Sequence, residues 1–566
     1  MKPSPANKLL LTNSPLLHAL VLLIAGLLVY SNTFTVPFLF DDIQNIVENR
    51  LVTDLRNFFE PAMLLNNRFI GLLSFALNYR LGGMDVTGFH AVNLTVHIAN
   101  SLLVYRLVLS VFKTPFFERC NSEDDRHFSI ALACAASVLF LCHPLQTGAV
   151  TYVVQRFTLL ATFFFLAALV TYLAARCHLA RQGRWQSARF VGLYSTALLS
   201  TVFAMKCKEI AFTLPLMIVI AELMFFDARP KTRMCLLFPF LAALAIIPLS
   251  LLLLAPSSGG MLQKMAVETN PTRSISRIDY LLNQPRVVLT YIRLLLFPAA
   301  QNIDHDFPVY HSLRHLPVML AWAFHTVCIV LAIVLLRVSG RENPLLRLMS
   351  FAILWFYVTL SVESSLIPLD DVIFEHRIYL PSVGFMIIPA ACLVMLGKRL
   401  ARGRGAGMWL VIAAAVVLAG AAYKRNGVWQ DAVTLWQDAA RKSPLKSRPH
   451  YNLGFYLASR GDVTAAIDEF KTAIRLDPDN GKARNNLGAL YAKAGDMPAA
   501  IREFREAARI EPSNATSHFN LGYGLVAGGD TEAAIAELQK GLLIEPGNTA
   551  AREQLRLLDV PNAAAK

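Results

Sequence analysis

The chain has 566 residues, of which 55% are hydrophobic and 16% charged, and its formal charge is +14. Apolarity on this scale over this length points to many membrane spans and argues against a soluble protein. The positive charge does not mark a nucleic-acid binder, because the cations sit in short loops between apolar runs: Arg176-Arg181-Arg184-Arg189, Arg229-Lys231-Arg233, Arg337-Arg341-Arg347 and Lys398-Arg399-Arg402-Arg404. Loops of that kind encode orientation in a lipid bilayer. The eight cysteines show neither a disulfide framework nor the paired spacing of a zinc site.

Lys2 and Lys8 precede a first apolar run that lacks a small-residue cleavage site, so the run reads as an uncleaved anchor. Spanning segments are expected near 15–31, 88–111, 127–142, 149–175, 190–206, 209–226, 234–254, 316–337, 346–362, 378–397 and 408–423. The 286–299 stretch is shorter, interrupted by Arg293 and ended by Pro298, and is expected to be a re-entrant or interfacial helix. With about eleven crossings and the N-terminus inside, all four basic loops fall in the cytoplasm. The loop after the first span, the His143 loop, the 255–315 region, the 363–377 loop and everything beyond 423 then fall outside. Counting 286–299 as a crossing would put the last two basic loops outside, against the positive-inside bias.

Beyond 423 the sequence becomes charged and alanine-rich. Asn-Leu-Gly begins at 452, 486 and 520, a step of 34 residues; Gly-Asp recurs at 461, 495 and 529, proline at 478, 512 and 546, and Ala-Ala-Ile at 465, 499 and 533. Markers in one register define tetratricopeptide repeats, helix pairs that stack into an α-solenoid. The expected divisions are a membrane domain at 1–423, a half repeat or connector at 424–446, and repeats over 447–560 (447–480, 481–514 and 515–548, with a capping helix). Tyr451, Asn452, Phe455, Asn486 and Asn520 are expected to face the concave groove.

On the outer side the ionisable residues converge. Asp41-Asp42 open the first loop, followed by His143-Pro-Leu-Gln146, Gln155-Arg156, Lys206-Cys-Lys208-Glu209, Asp304-His-Asp306, and Glu363 through Asp370 to Glu375-His376-Arg377. Charges at a membrane edge are costly unless paired or wetted, which favours a site. Bland readings stand beside this one. Arg156 suits snorkelling to headgroups, Glu375-His376-Arg377 suits a structural ion cluster, and Asp304-His-Asp306 is a short version of a divalent-metal pattern. Lys206 and Lys208 are cations on the side that normally has few, which points to an anionic partner.

These residues resemble a known family. The Asp-Asp first loop in a multi-span protein is similar to membrane glycosyltransferases of the GT-C fold, especially protein O-mannosyltransferases. His143–Arg156, Lys208-Glu209, Glu375–Ser382 and the C-terminal repeats resemble the transmembrane-and-tetratricopeptide-repeat branch, with fewer repeats than its animal members carry. The fold class so implied is all-α, a GT-C-like polytopic bundle followed by a repeat solenoid. The resemblance implies an integral protein of the inner (cytoplasmic) membrane that moves a sugar from a polyprenyl-phosphate donor to Ser/Thr hydroxyls of an exported protein outside the cytoplasm, with inversion. Asp41 would be the general base and Asp42 its support. Arg377, His376, Lys208 and Arg156 would meet the leaving phosphate's charge, with His143, Glu209 and Glu375 in supporting roles. No metal cofactor is expected; the alternative is magnesium or manganese on Asp304 and Asp306. The rival readings are a non-enzymatic repeat scaffold in the membrane and a ligase that moves whole glycans.

Overall fold

The computed structural model describes residues 14–118, 123–254, 275–340, 343–365, 368–369, 371–400 and 406–563. Arg341, Asp370, Arg402, Arg404 and the 255–274 part of the long outer region lie outside them. The described residues are helical, with no strand among them. They fall into two compact units, Met1–Ile303 with Phe307–Gln430, and Asp304–Asp306 with Asp431–Lys566.

In the first unit each of the expected apolar segments forms a helix. Among the described residues, eight helices are long and apolar enough to cross a membrane. Three others are shorter, at 15 residues for Pro15–Val29, 12 for Leu214–Phe225 and 17 for Pro344–Leu360. Leu214–Phe225 is extended by a tight turn over Glu209–Thr213, and the two together rise about 28 Å, near the ~30 Å of a hydrocarbon layer. More than half of the apolar window is buried in Val86–Phe112, Asp124–Cys142, Val153–Gln182 and Glu375–Leu400, against 22% in Leu316–Val338. The first four therefore form the interior, and Leu316–Val338 turns its apolar surface outward. Polar side chains cross-link that interior: His97 Nδ1 lies 2.6 Å from the Tyr379 hydroxyl, and Asn100 donates to the Leu159 carbonyl at 3.0 Å. Arg176 and Glu222 form a two-pronged buried ion pair at 2.8 and 2.9 Å.

Three features differ from the sequence expectation. The 286–299 stretch is the second half of a 20-residue helix, Arg277–Leu296, which starts under the Ser276 cap. Its buried residues Tyr280, Gln284, Val287, Val288, Tyr291, Leu294 and Leu295 follow helical spacing. Polar Asn283 and Gln284 hide the first half from a hydropathy reading. A further helix, Phe69–Gly82, lies within the first outer region, where no element was expected. The last helix of the unit, Ala406–Val428, runs past 423. Near its end Asn426 is fully buried, donating to the Val29 carbonyl at 3.0 Å and accepting from the Thr151 hydroxyl at 3.1 Å, which ties this stretch to the first unit.

The second unit explains its own markers. Gly461, Gly495 and Gly529 take left-handed φ values of 89°, 87° and 85°, a conformation that favours glycine. The aspartate after each caps the next helix, accepting from the Ala465, Ala499 and Ala533 N–H groups. The repeat prolines do more than end helices. The carbonyls of Pro444, Pro478, Pro512 and Pro546 each meet the side chain six residues on, His450, Arg484, His518 and Arg552.

Candidate active site

The first outer loop turns back at Phe40, whose backbone is left-handed (φ 51°). For a bulky residue this costs about 1–3 kcal/mol and persists only where surrounding structure over-determines it. Its ring stacks on Tyr152 at 6.4 Å between centroids. Just after this turn the two aspartates part company. Asp42 is 1% exposed, and its two oxygens accept the Leu39 N–H at 3.0 Å and the Val154 N–H at 2.7 Å. It fastens the loop to the turn before the Arg156–Gln182 helix. Burial pushes its carboxyl up to about 8, with the Asp41 charge adding to the rise and the two N–H groups opposing it. Asp41 is only half-buried. Its backbone N–H donates to the Tyr152 hydroxyl at 2.9 Å.

Tyr152 joins this carboxylate to the cations. Besides Phe40, its ring meets Trp429 at 5.4 Å and His376 at 6.5 Å. Burial, then the charges of Asp41 and Asp42, hold its phenol well above the ordinary tyrosine range. His376 sits in the tight turn Glu375–Ile378 that opens the Tyr379–Leu400 helix, and it stacks on Phe374 at 5.1 Å. Lys208 and Arg377 are its charged neighbours. Lys208 Nζ lies 2.9 Å from the Glu363 carboxylate and donates to the Thr158 hydroxyl at 3.0 Å. Arg377 donates to the neutral Asp371 and Val372 carbonyls at 2.8 and 3.2 Å. Asp41, Tyr152 and His376 are thus linked contact by contact, with Arg377 next to His376 in the chain and the Lys208 charge acting on the same ring.

Other expected site residues lie elsewhere or serve the frame. Arg156 is fully buried among neutral acceptors, Asn93 Oδ1 at 2.8 Å, Asn78 Oδ1 and the Phe89 carbonyl at 2.9 Å, and the Ser74 carbonyl at 3.2 Å. Its guanidinium also lies 4.5 Å from the Phe75 ring centre. Those bonds tie three helices together and direct its donors away from a phosphate. His143 Nδ1 accepts the Leu145 N–H at 3.2 Å, so its proton is on Nε2, 3.1 Å from the Leu295 carbonyl. Burial pushes its pKa down to about 4, so the ring is a neutral cap. Glu375 accepts the Asn302 N–H at 2.6 Å and the Gln301 amide at 3.3 Å, pinning that segment. Glu209 lies at the rim, 3.9 Å from Arg68. The Phe40 conformation has no local sequence signal, and Tyr152, though inside the 143–156 stretch that carries the resemblance, is marked out only by partners far along the chain.

Asp304 and Asp306 belong to the second unit. The Asp304 carboxylate is paired with both Lys446 and Arg448, and the Asp306 N–H donates to the Ser443 hydroxyl at 2.9 Å. Two cations on one carboxylate oppose a divalent ion there, which speaks against the reserve metal site. Among the described residues, no group of three His, Cys, Asp or Glu side chains is arranged to hold a metal. In the repeats, Asn486 donates to the Tyr451 hydroxyl at 3.5 Å and Asn520 to Asn485 Oδ1 at 3.3 Å, so these residues bridge successive first helices. Asn452 is half-buried, and Phe455 is 46% exposed.

Fold and site together define a multi-pass helical membrane protein with a C-terminal tetratricopeptide-repeat solenoid. The tetratricopeptide-repeat family model matches residues 417–481, 456–515 and 485–551. Over about four fifths of its length the chain is similar to animal protein O-mannosyl-transferases. It is 26% identical over 466 residues to protein O-mannosyl-transferase F38B6.6 of Caenorhabditis elegans, covering 78% of this chain and 60% of that protein. It is 26% identical to Tmtc3 of Drosophila melanogaster, covering 82% and 56%, and 25% identical to TMTC4 of Mus musculus, covering 81% and 66%. The chain therefore spans about half to two thirds of the length of these curated relatives. Among solved structures, MamA from Desulfovibrio magneticus RS-1 is 21% identical, covers 29% of this chain and 88% of its own, and aligns with a TM-score of 0.22.

Proposed function

We propose that the protein transfers a sugar from a polyprenyl-phosphate carrier to serine or threonine hydroxyls of an exported protein, at the outer face of the cytoplasmic membrane. The observation that carries this reading is the half-buried Asp41, whose backbone N–H donates to the Tyr152 hydroxyl, with the Tyr152 ring against His376 and the charges of Lys208 and Arg377 acting on that histidine. Asp41 takes the proton from the acceptor oxygen as that oxygen bonds to the sugar's anomeric carbon. The bond from that carbon to the phosphate oxygen breaks, with inversion, and the lipid phosphate leaves with its electron pair. Lys208, Arg377 and His376 meet the charge that grows on it. This scheme uses no divalent ion.

Asp42 is left out of proton transfer because it is 1% exposed and anchored to the backbone, out of reach of an acceptor hydroxyl. The names of the relatives support a protein acceptor. Orientation is supported by Arg181, Arg347 and Lys398, which lie at the helix ends opposite the site and so belong in the cytoplasm. An apolar cavity of about 280 Å³ between the Pro15–Val29, Glu123–Cys142 and Ala406–Val428 helices has the chemistry to receive an isoprenoid tail. The repeat unit is assigned to holding the acceptor polypeptide.

The test is direct. Purified protein given labelled polyprenyl-phosphate sugar and a serine/threonine-rich peptide labels the peptide, and Asp41→Asn does not. Equal labelling by the variant would sink the assignment.

A further inference from the structure

We propose that Tyr152 is a positioning residue for Asp41, gripping the base at two points and tying its orientation to the cation cluster; this rests on the transferase reading. A phenol has one hydrogen to donate and two lone pairs to accept with. The Tyr152 oxygen accepts the Asp41 backbone N–H at 2.9 Å. Its own hydrogen must then go to another acceptor, and the Asp41 side chain is its hydrogen-bonded neighbour. One phenol thus holds the backbone of Asp41 with its side chain as hydrogen-bonded neighbour, which limits how the carboxylate can turn.

The ring that makes this grip cannot swing away. It is 3% exposed, with Phe40 on it at an interplanar angle of 28°, Trp429 at 33° and His376 at 60°. Phe40 is also the left-handed residue directly before the base. A phenylalanine keeps that conformation only if contacts over-determine it, and the stacking on Tyr152 is among those contacts. The strained turn and the buried phenol therefore specify one Asp41 geometry between them. Because the same ring leans on His376, on which the charges of Lys208 and Arg377 act, the base is coupled to the leaving-group side through one ring.

Tyr152→Phe keeps the ring and removes only the oxygen, which separates positioning from packing. In the transfer assay we expect kcat to fall about ten- to a hundredfold, as for losing a hydrogen bond to a charged group. Donor and acceptor KM should stay within about twofold, and the acid limb of the pH–rate profile should move to higher pH, because the carboxylate loses a donor to its charged form. Phe40→Gly, which tolerates the left-handed backbone but lacks the ring, should lower kcat in the same way. A readout independent of turnover is the infrared titration of the carboxylate band that disappears in Asp41→Asn, whose midpoint should rise in Tyr152→Phe. A folded Tyr152→Phe protein with wild-type kcat and an unmoved band overturns the proposal. If the wild-type protein transfers no sugar yet the band moves, the positioning contact stands and the transferase reading falls.

Discussion

A carboxylate that is sealed from solvent and turned toward backbone N–H groups is out of reach of an acceptor hydroxyl. Asp42 is 1% exposed and in that position, whereas Asp41 is half-buried, although nothing in the sequence separates them. Replacing Asp42 with alanine would leave the Leu39 and Val154 N–H groups buried and unpaired. It should lower stability by about 2–5 kcal/mol at pH 7, seen as a thermal shift in detergent. The pH dependence has a definite sign. In the unfolded chain the carboxyl titrates near ~3.9, and in the fold burial raises it to about 8. The folded state therefore holds the extra proton between those values, and Asp42's contribution is fully present at the acid end and lost as pH rises through about 8. Asp42→Asn should flatten that slope; an unchanged slope would mean that Asp42 does not titrate there. Arg156 and Lys208 separate by the same kind of argument. Arg156→Met should cost several kcal/mol, by analogy with broken buried charge networks, and leave donor KM within twofold. Lys208→Met should raise donor KM, and because it strips the Glu363 carboxylate of its ion-pair partner some stability should go with it.

At the scale of elements, the long apolar runs and the repeats were legible because hydropathy and a 34-residue register are local properties. The Phe69–Gly82 helix and the first half of Arg277–Leu296 were not, because each mixes polar and apolar residues on faces that only neighbouring helices define. The glycines of the repeats show how tightly such faces meet. A Cβ on Gly488 would lie 2.7 Å from the Phe504 ring and 3.2 Å from the Ala500 carbonyl. Gly488→Ala gains about 1 kcal/mol of helix propensity, but overpacking of this kind costs about 1–3 kcal/mol. The variant should be less stable on balance, by thermal melting followed by circular dichroism. Gly420→Ala has nothing within 4 Å of the added carbon and serves as the control.

At the scale of the whole molecule, the proposed division of labour is testable. Deleting 445–566 should raise the acceptor KM far more than the donor KM; equal effects on both would remove the repeats from acceptor binding. Chelators should leave turnover unchanged, since the scheme gives the leaving phosphate to Lys208, His376 and Arg377. By itself the sequence determined that this is an all-helical membrane protein with a tetratricopeptide solenoid, and it pointed to the outer charged loops. It could do so because length, hydropathy, cation placement and a fixed repeat survive without knowledge of any contact. Only the tertiary structure decided which charges meet. It buried Arg156, His143 and Glu375 into the frame, occupied Asp304 with Lys446 and Arg448, and set Tyr152 between Asp41 and His376. Those outcomes depend on residues brought together from dozens to hundreds of positions apart, where burial and hydrogen-bond supply decide whether a charged side chain is a strut or a reagent.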